Sequence, residues 1–138
     1  MKDSEYLGKI ILACYRDYIK AGNYNELRLW FQALGDTAAG LNPDIFVAKG
    51  AFLSIIGNFV EARNCLETAF PLINANDEAL YYEAMIHKAR VLRNFVSFEE
   101  SDRLLDELIG KLDNFTGELE YSVVIEKLYN LCWDSQIG

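Results

Sequence analysis

Two apolar runs of helical length flank the tripeptide Gly57-Asn58-Phe59, and this arrangement constrains the fold more than any other feature of the chain. The run before the turn, from Pro43, and the run after it, to Ile73, both repeat their apolar residues every three to four positions. That period predicts two amphipathic helices rather than strands. Because a single tight turn separates them, we expect the helices to pack antiparallel as a helical hairpin.

This hairpin has the small and large side chains that a tetratricopeptide (TPR) repeat places along its two helices. The matching positions are Phe46, Gly50, Leu53, Gly57, Phe59, Glu61, Ala62, Leu66 and Ala69. Gly50 and Ala62 permit a close approach of the helices, and Gly57 tolerates the positive φ that a helix end commonly needs. The stretch therefore resembles a TPR repeat, a unit of about 34 residues.

Similar turns recur on either side of the central hairpin. Gly22-Asn23-Tyr24 precedes it by 35 residues, and Val96-Ser97-Phe98 follows it by 39. We expect repeats at about 5–41, 43–76 and 77–113, followed by a last helix at 118–133. Pro71 should kink or end the second helix of the central repeat. The pattern predicts a single all-α domain, 1–138, built as a TPR-like right-handed superhelix of antiparallel helix pairs, with about seven helices.

Composition and charge exclude several classes of partner. The chain has 138 residues, of which 51% are hydrophobic, and a formal net charge of −8. No apolar run reaches the ~18 residues of a membrane span, and the start lacks a signal-peptide pattern, so we expect a cytoplasmic protein without membrane contact. The negative charge repels phosphate backbones, so the chain itself is not expected to bind nucleic acid.

Few residues suggest catalysis or metal binding. His87 is the only histidine, and a general base would need a partner such as Glu83, one helical turn earlier. Cys14, Cys65 and Cys132 are widely separated and set among apolar residues, so we expect them to be buried small hydrophobes rather than metal ligands. We therefore expect no enzymatic activity, no metal and no cofactor.

The first helices of TPR repeats line a concave surface, which is the predicted binding site here. The candidate groove residues are Lys9, Arg16, Val47, Ala51, Ser54, Ile86, His87, Arg90 and Arg93. Such a groove would have basic ends and an apolar middle, which suits an acidic or amphipathic peptide or a small ligand. The alternative is a set of solvated helix faces that bind nothing.

Two runs resemble a particular group of TPR proteins. AGNYNELRLWFQAL begins at Ala21, and LNPDIFVAKGAFLSIIGNFVEARNCLETAFPLI begins at Leu41. They are similar to the sensor region of large ATP-dependent LuxR-type transcriptional regulators of the MalT type. The positions that match are Trp30, Ala33, Leu34, Pro43, Gly50, Gly57, Glu61, Ala62 and Ala69. The resemblance implies a role in transcription regulation, sensing a small-molecule inducer or a protein or peptide partner. The sequence has no P-loop motif and no basic recognition helix, so ATP hydrolysis and DNA binding are not assigned to it.

The seventh predicted helix has no partner helix in the repeat pattern, and two interpretations stay open. It caps the array of a free-standing adaptor that binds a peptide segment of a partner protein, or the chain is a sensor fragment of a longer regulator whose remainder covers it. In the second case its apolar side is an interface, with Val124, Leu128, Leu131 and Trp133 as candidates, and a homodimer through this helix is expected.

Overall fold

Seven α-helices make up the fold in the residues that the structure, a computed structural model, describes: 2–38, 42–111 and 117–137. Within these ranges the side chains of 2–3, 36–38, 96 and 133–137 are not described. The helices are α1 Lys2–Ala21, α2 Tyr24–Ala38, α3 Pro43–Ile55, α4 Phe59–Ala69, α5 Glu78–Val91, α6 Phe98–Ile109 and α7 Gly117–Ile137. The predicted all-α class, with about seven helices, is confirmed.

The chain divides into two compact units, Met1–Ile73 and Asn74–Gly138, where the sequence predicted one domain. The division follows the predicted effect of Pro71. The α-helix α4 ends at Ala69, a 3₁₀ turn occupies Phe70–Leu72, and the backbone is extended at Ile73. A proline ring removes a backbone donor and cannot continue the helix. The right-handed superhelix of helix pairs stays a prediction.

In the first unit α1 packs on α2 and α3, and α3 packs on α4. α3 and α4 approach each other closely at Gly50. A Cβ atom placed on this residue would stand 2.9 Å from Cγ and Cδ2 of Leu66, so only glycine fits without displacing that side chain. The TPR signature predicted a close helix approach at Gly50.

The turns that end α1 and α3 have the same backbone geometry. Gly22 has φ 76° and Gly57 has φ 88°, both in the left-handed region that glycine enters without a steric cost. The residue after each glycine donates its backbone N–H to the carbonyl five positions earlier, at 2.9 Å in both turns. This is the hydrogen bond of a Schellman motif, and its recurrence agrees with the predicted spacing of the first two helical pairs.

In the second unit α5, α6 and α7 all pack against one another. Asp77 caps α5 by accepting from the Leu80 N–H at 3.2 Å, and Ser97 caps α6 by accepting from the Glu100 N–H at 3.2 Å. The last turn before Ser97 is π-helical, Leu92–Val96. The apolar core of the unit consists of Ile86, Ala89, Leu104, Leu105, Leu108 and Val123.

Candidate functional site

The predicted groove residues of the first unit are divided between surface and core. Lys9 and Arg16 are exposed on α1. Val47 and Ala51 are buried, and so is Ser54, whose hydroxyl donates to the carbonyl of Ala51 at 2.8 Å. These three side chains offer a ligand no surface, which corrects their predicted position in a groove. The reason is that α3 has apolar residues all around its axis, and such a helix is buried on several sides.

In the second unit, Arg90 and Arg93 face the inside of the unit, where both bind Glu126 of α7. Nη2 of Arg90 lies 2.9 Å from Oε2 of Glu126, and Nη2 of Arg93 lies 3.0 Å from Oε1. The Arg93 contact is an ion pair without the alignment of a hydrogen bond. The Glu126 side chain is 5% exposed, and Ile86 is buried in the core. The predicted groove role of Ile86, Arg90 and Arg93 is corrected, because Ile86 lies in the core and the two arginines fasten α5 and the turn after it to α7.

A buried asparagine extends this network to α6. Nη1 of Arg93 donates to Oδ1 of Asn130 at 3.0 Å, and Nδ2 of Asn130 donates to the hydroxyl of Ser101 at 3.2 Å. Ser101 in turn donates to the carbonyl of Ala89 at 2.7 Å. Asn130 and Ser101 are both fully buried, so these hydrogen bonds satisfy groups that would otherwise be costly to bury. The network holds all three helices of the unit in one register.

His87 lies beside this network and is neutral. Its Nδ1 is 3.1 Å from Nη1 of Arg90, and because arginine can only donate, Nδ1 accepts and the ring proton resides on Nε2. Nε2 lies 3.9 Å from Oε1 of Glu83, too far for a hydrogen bond. Burial lowers the pKa of His87 below 6.5, and Glu83 opposes that shift only in part. With its one acceptor already engaged, the ring is poorly placed to act as a general base.

A second ion cluster joins α7 to α6 near the surface. Nζ of Lys127 lies 2.6 Å from Oδ1 of Asp102 and 2.9 Å from Oδ1 of Asp106. Burial acts to lower the pKa of Lys127, but the hydrogen bonds to Asp102 and Asp106 outweigh it, so the pKa is raised above 10.5 and the ammonium stays charged. Two carboxylates against one ammonium leave one negative charge in excess at this place.

The opposite side of α7 carries a row of exposed apolar side chains, which we call the α7 face. It consists of Tyr121, Val124, Leu128 and Leu131, exposed by 68%, 40%, 50% and 52%. Their spacings of three, four and three positions keep them on one side of a helix. Isolated exposed apolar residues are ordinary, whereas contiguous rows commonly mark interaction sites.

Val124, Leu128 and Leu131 are thus at the surface, as an interface on this helix requires, and their role in binding stays a prediction. The side chain of Trp133, the fourth interface candidate, lies outside the described residues. Sequence reasoning missed Tyr121. Extending the three- and four-residue spacing one turn toward the start of α7 would have found it.

The cysteines and acidic residues form no metal site in the part of the chain that the structure describes: no group of three or more His, Cys, Asp or Glu residues could hold an ion. Cys14 and Cys65 are partly buried. Cys132 is exposed beside the α7 face, and the expectation that it is buried was wrong. The apolar neighbours of Cys132 in the sequence include Leu131, which is itself at the surface.

The first unit also contains an open cleft of about 450 Å³ between α2, α3 and the start of α4. Arg28 and Lys49 contribute cationic groups to its lining and Glu61 contributes a carboxylate, while the aromatic rings below them are nearly buried. The volume lies in the range of small-molecule sites. Its lining combines charged groups with apolar side chains.

Comparison with protein-family models, with curated proteins and with solved structures finds no significant match to this chain. Within the described ranges, no helix combines the length and the apolar character that crossing a bilayer requires.

Proposed function

We propose that this chain is a helical-repeat binding module that docks onto a further protein segment through the α7 face. The observation that carries the proposal is the row Tyr121, Val124, Leu128 and Leu131, each at least 40% exposed on one side of one helix. The other side of α7 is anchored by Glu126 and Asn130. A docking surface on an element fixed from behind loses little conformational freedom on binding, which favours affinity.

The side chains inside the second unit are poorly suited to catalysis. The titratable groups there are engaged with one another, since Glu126 binds two arginines and His87 accepts from Arg90. A catalytic acid or base must instead reach a substrate. We therefore propose no enzymatic activity for the chain.

The resemblance to LuxR-type regulators gives this proposal its biological setting. In that setting the chain is the sensor region of a cytoplasmic transcriptional regulator of the MalT type, and the α7 face contacts another part of the same regulator. A small polar inducer would fit the cleft beside Arg28 and Lys49. The alternative is a free-standing adaptor whose α7 face binds a partner protein. The length of the source gene product separates these two settings.

A photo-reactive amino acid at position 132 tests the docking function, because Cys132 is exposed next to Leu131. The cross-linked protein would be identified, purified and titrated against the chain. We expect Leu128→Asp to weaken that binding at least about tenfold, or about 1.4 kcal/mol. The matched control is Leu29→Asp, which alters a side chain that is 63% exposed on α2. Equal affinity of Leu128→Asp and the unsubstituted chain would contradict the proposal.

A further inference from the structure

The negative charge of this protein is concentrated in the unit that carries the α7 face. Residues 74–138 contain 13 acidic and six basic side chains, a formal net charge of −7. Residues 1–73 contain eight acidic and seven basic side chains, a net charge of −1. The two units are of similar size, so the difference is one of surface charge density.

Half of the basic side chains in the second unit are committed to internal ion pairs. Arg90 and Arg93 both bind the buried carboxylate of Glu126. Lys127 lies between the carboxylates of Asp102 and Asp106. These contacts pair three cations with three carboxylates, so the remaining side chains of the unit carry the whole formal net charge of −7.

The charges that border the α7 face are acidic. Glu118 and Glu120 are both exposed in the first turn of the helix, one toward each side of the apolar row. The Lys127 cluster lies along the same side of the row as Glu120, and with Asp102 and Asp106 it has a negative excess. A partner that covers the row therefore meets acidic side chains on both sides at the first turn of α7 and, on the Glu120 side, again at Asp102 and Asp106.

We infer that the partner of the α7 face is a basic amphipathic helix, an inference that rests on the proposed docking function. An apolar stripe on such a helix covers the row, as in helix-in-groove recognition, with its anchors spaced three to four residues apart. Lysine or arginine residues beside that stripe lie opposite Glu118, Glu120 and the Lys127 cluster. The acidic unit attracts such a helix from a distance, and the pairing of opposite charges fixes the position of the helix along α7.

A second copy of the chain is a poorer occupant, although the sequence led us to expect a homodimer. Each copy has a net charge of −8, and a symmetric contact through α7 would bring another Glu118 and Glu120 to the same interface. Like charges placed opposite each other cost binding energy. The same repulsion opposes phosphate backbones and anionic lipid surfaces.

Three synthetic peptides of about 18 residues, roughly five helical turns, test the inference. The first has leucine at helical three- and four-residue spacing and lysine elsewhere. The second replaces each lysine by glutamate, and the third scrambles the first. Fluorescence anisotropy at low and moderate salt measures binding to the full chain, to Leu128→Asp and to Glu118→Gln/Glu120→Gln. The matched control is Glu5→Gln/Glu26→Gln, since both residues are exposed in the first unit.

We expect the chain to bind the first peptide at least about tenfold more tightly than the other two. Leu128→Asp should weaken this binding about tenfold, and Glu118→Gln/Glu120→Gln should weaken it about threefold while reducing its salt dependence. The control pair should leave it unchanged.

Each other outcome overturns the inference in its own way. If the acidic peptide binds equally well, the partner need not be basic, but the docking face stands. If the scrambled peptide binds equally well, charge alone drives binding and the α7 face has no part in it. If no peptide binds and the chain forms a dimer that Leu128→Asp disrupts, a second copy is the occupant. If no peptide binds and Leu128→Asp also leaves the oligomeric state of the chain unchanged, the proposed docking function is contradicted as well.

Discussion

Oε1 of Glu126 lies 3.0 Å from Nη2 of Arg93, and their side chains are only 5% and 9% exposed. Oε2 of the same carboxylate binds Arg90, so one acidic residue of α7 pairs with Arg90 of α5 and with Arg93 of the π-helical turn that follows α5. A buried charge pair adds modestly to stability while it is complete, but the loss of one partner leaves a charge buried without compensation. The position of α7 therefore depends strongly on Glu126.

Glu126→Ala should destabilise the second unit by about 3–5 kcal/mol, because it leaves Arg90 and Arg93 without their carboxylate. Urea unfolding followed by circular dichroism measures the change, and amide hydrogen exchange shows whether α7 opens first. The matched control is Glu120→Gln, an exposed residue of the same helix, which should change stability by less than about 0.5 kcal/mol. A loss below about 1 kcal/mol for Glu126→Ala would show that the network is unimportant.

His87 should make stability fall as the solution becomes mildly acidic. Its pKa in the folded chain is below 6.5, so between these two values the unfolded chain binds a proton that the folded chain does not. The free energy of unfolding therefore decreases as pH falls below about 6.5, and this decrease ends once the pH is below the pKa of the folded chain.

His87→Gln tests this, because glutamine can still accept from Arg90 but does not titrate in this range. Its free energy of unfolding, measured by urea denaturation from about pH 7 to about pH 5, should depend less on pH than that of the unsubstituted chain. Parallel curves for the two proteins would exclude His87 as the cause.

Gly57→Ala should destabilise the first unit by about 1–3 kcal/mol, because φ 88° is unfavourable for any residue with a Cβ atom. Gly110→Ala provides a comparison, since Gly110 ends α6 with φ −63°, which any residue adopts. Thermal or urea unfolding should show a loss only at position 57. Equal effects at both positions would mean that the turn does not depend on the left-handed conformation.

The helices and their turns could be predicted because local signals specify them. These signals act within a few positions of the chain: an apolar period on either side of Gly57, a proline at position 71, and glycines shortly before aromatic residues. The structure has helix ends near Gly22, Gly57 and Pro71. The close helix approach at Gly50 also followed from the repeat signature, whereas its neighbour Leu66 was seen only in the structure.

The candidate site was harder to predict because its contacts join distant residues. Glu126 is 36 positions from Arg90 and 33 from Arg93, and no local pattern pairs them. The two arginines looked like exposed cations on a first helix, yet α7 covers them. Val47 and Ala51 looked like groove positions, but an apolar helix is buried on more sides than an ideal repeat suggests. The α7 face could be seen in part because it extends along one helix.

Leu128→Asp should weaken binding without unfolding the chain. The side chain is 50% exposed, and surface substitutions away from structural contacts usually change stability by less than about 0.5 kcal/mol. Urea unfolding would measure the change in stability directly. Val123→Asp provides the comparison: Val123 is fully buried on the same helix, so its substitution should unfold the second unit. A large loss of stability in Leu128→Asp would indicate that the residue belongs to the core rather than to a docking surface.

The central claim is that α7 presents the binding surface of this protein. Nuclear magnetic resonance of the ¹⁵N-labelled chain, titrated with the basic amphipathic peptide, tests it most directly. We predict that the largest changes in chemical shift fall on α7 between Tyr121 and Leu131 and on the neighbouring acidic residues of α6. Lys9, Arg16 and the cleft beside Arg28 and Lys49 should show none. Changes concentrated in the first unit, or an unchanged α7 in the presence of saturating peptide, would contradict the claim.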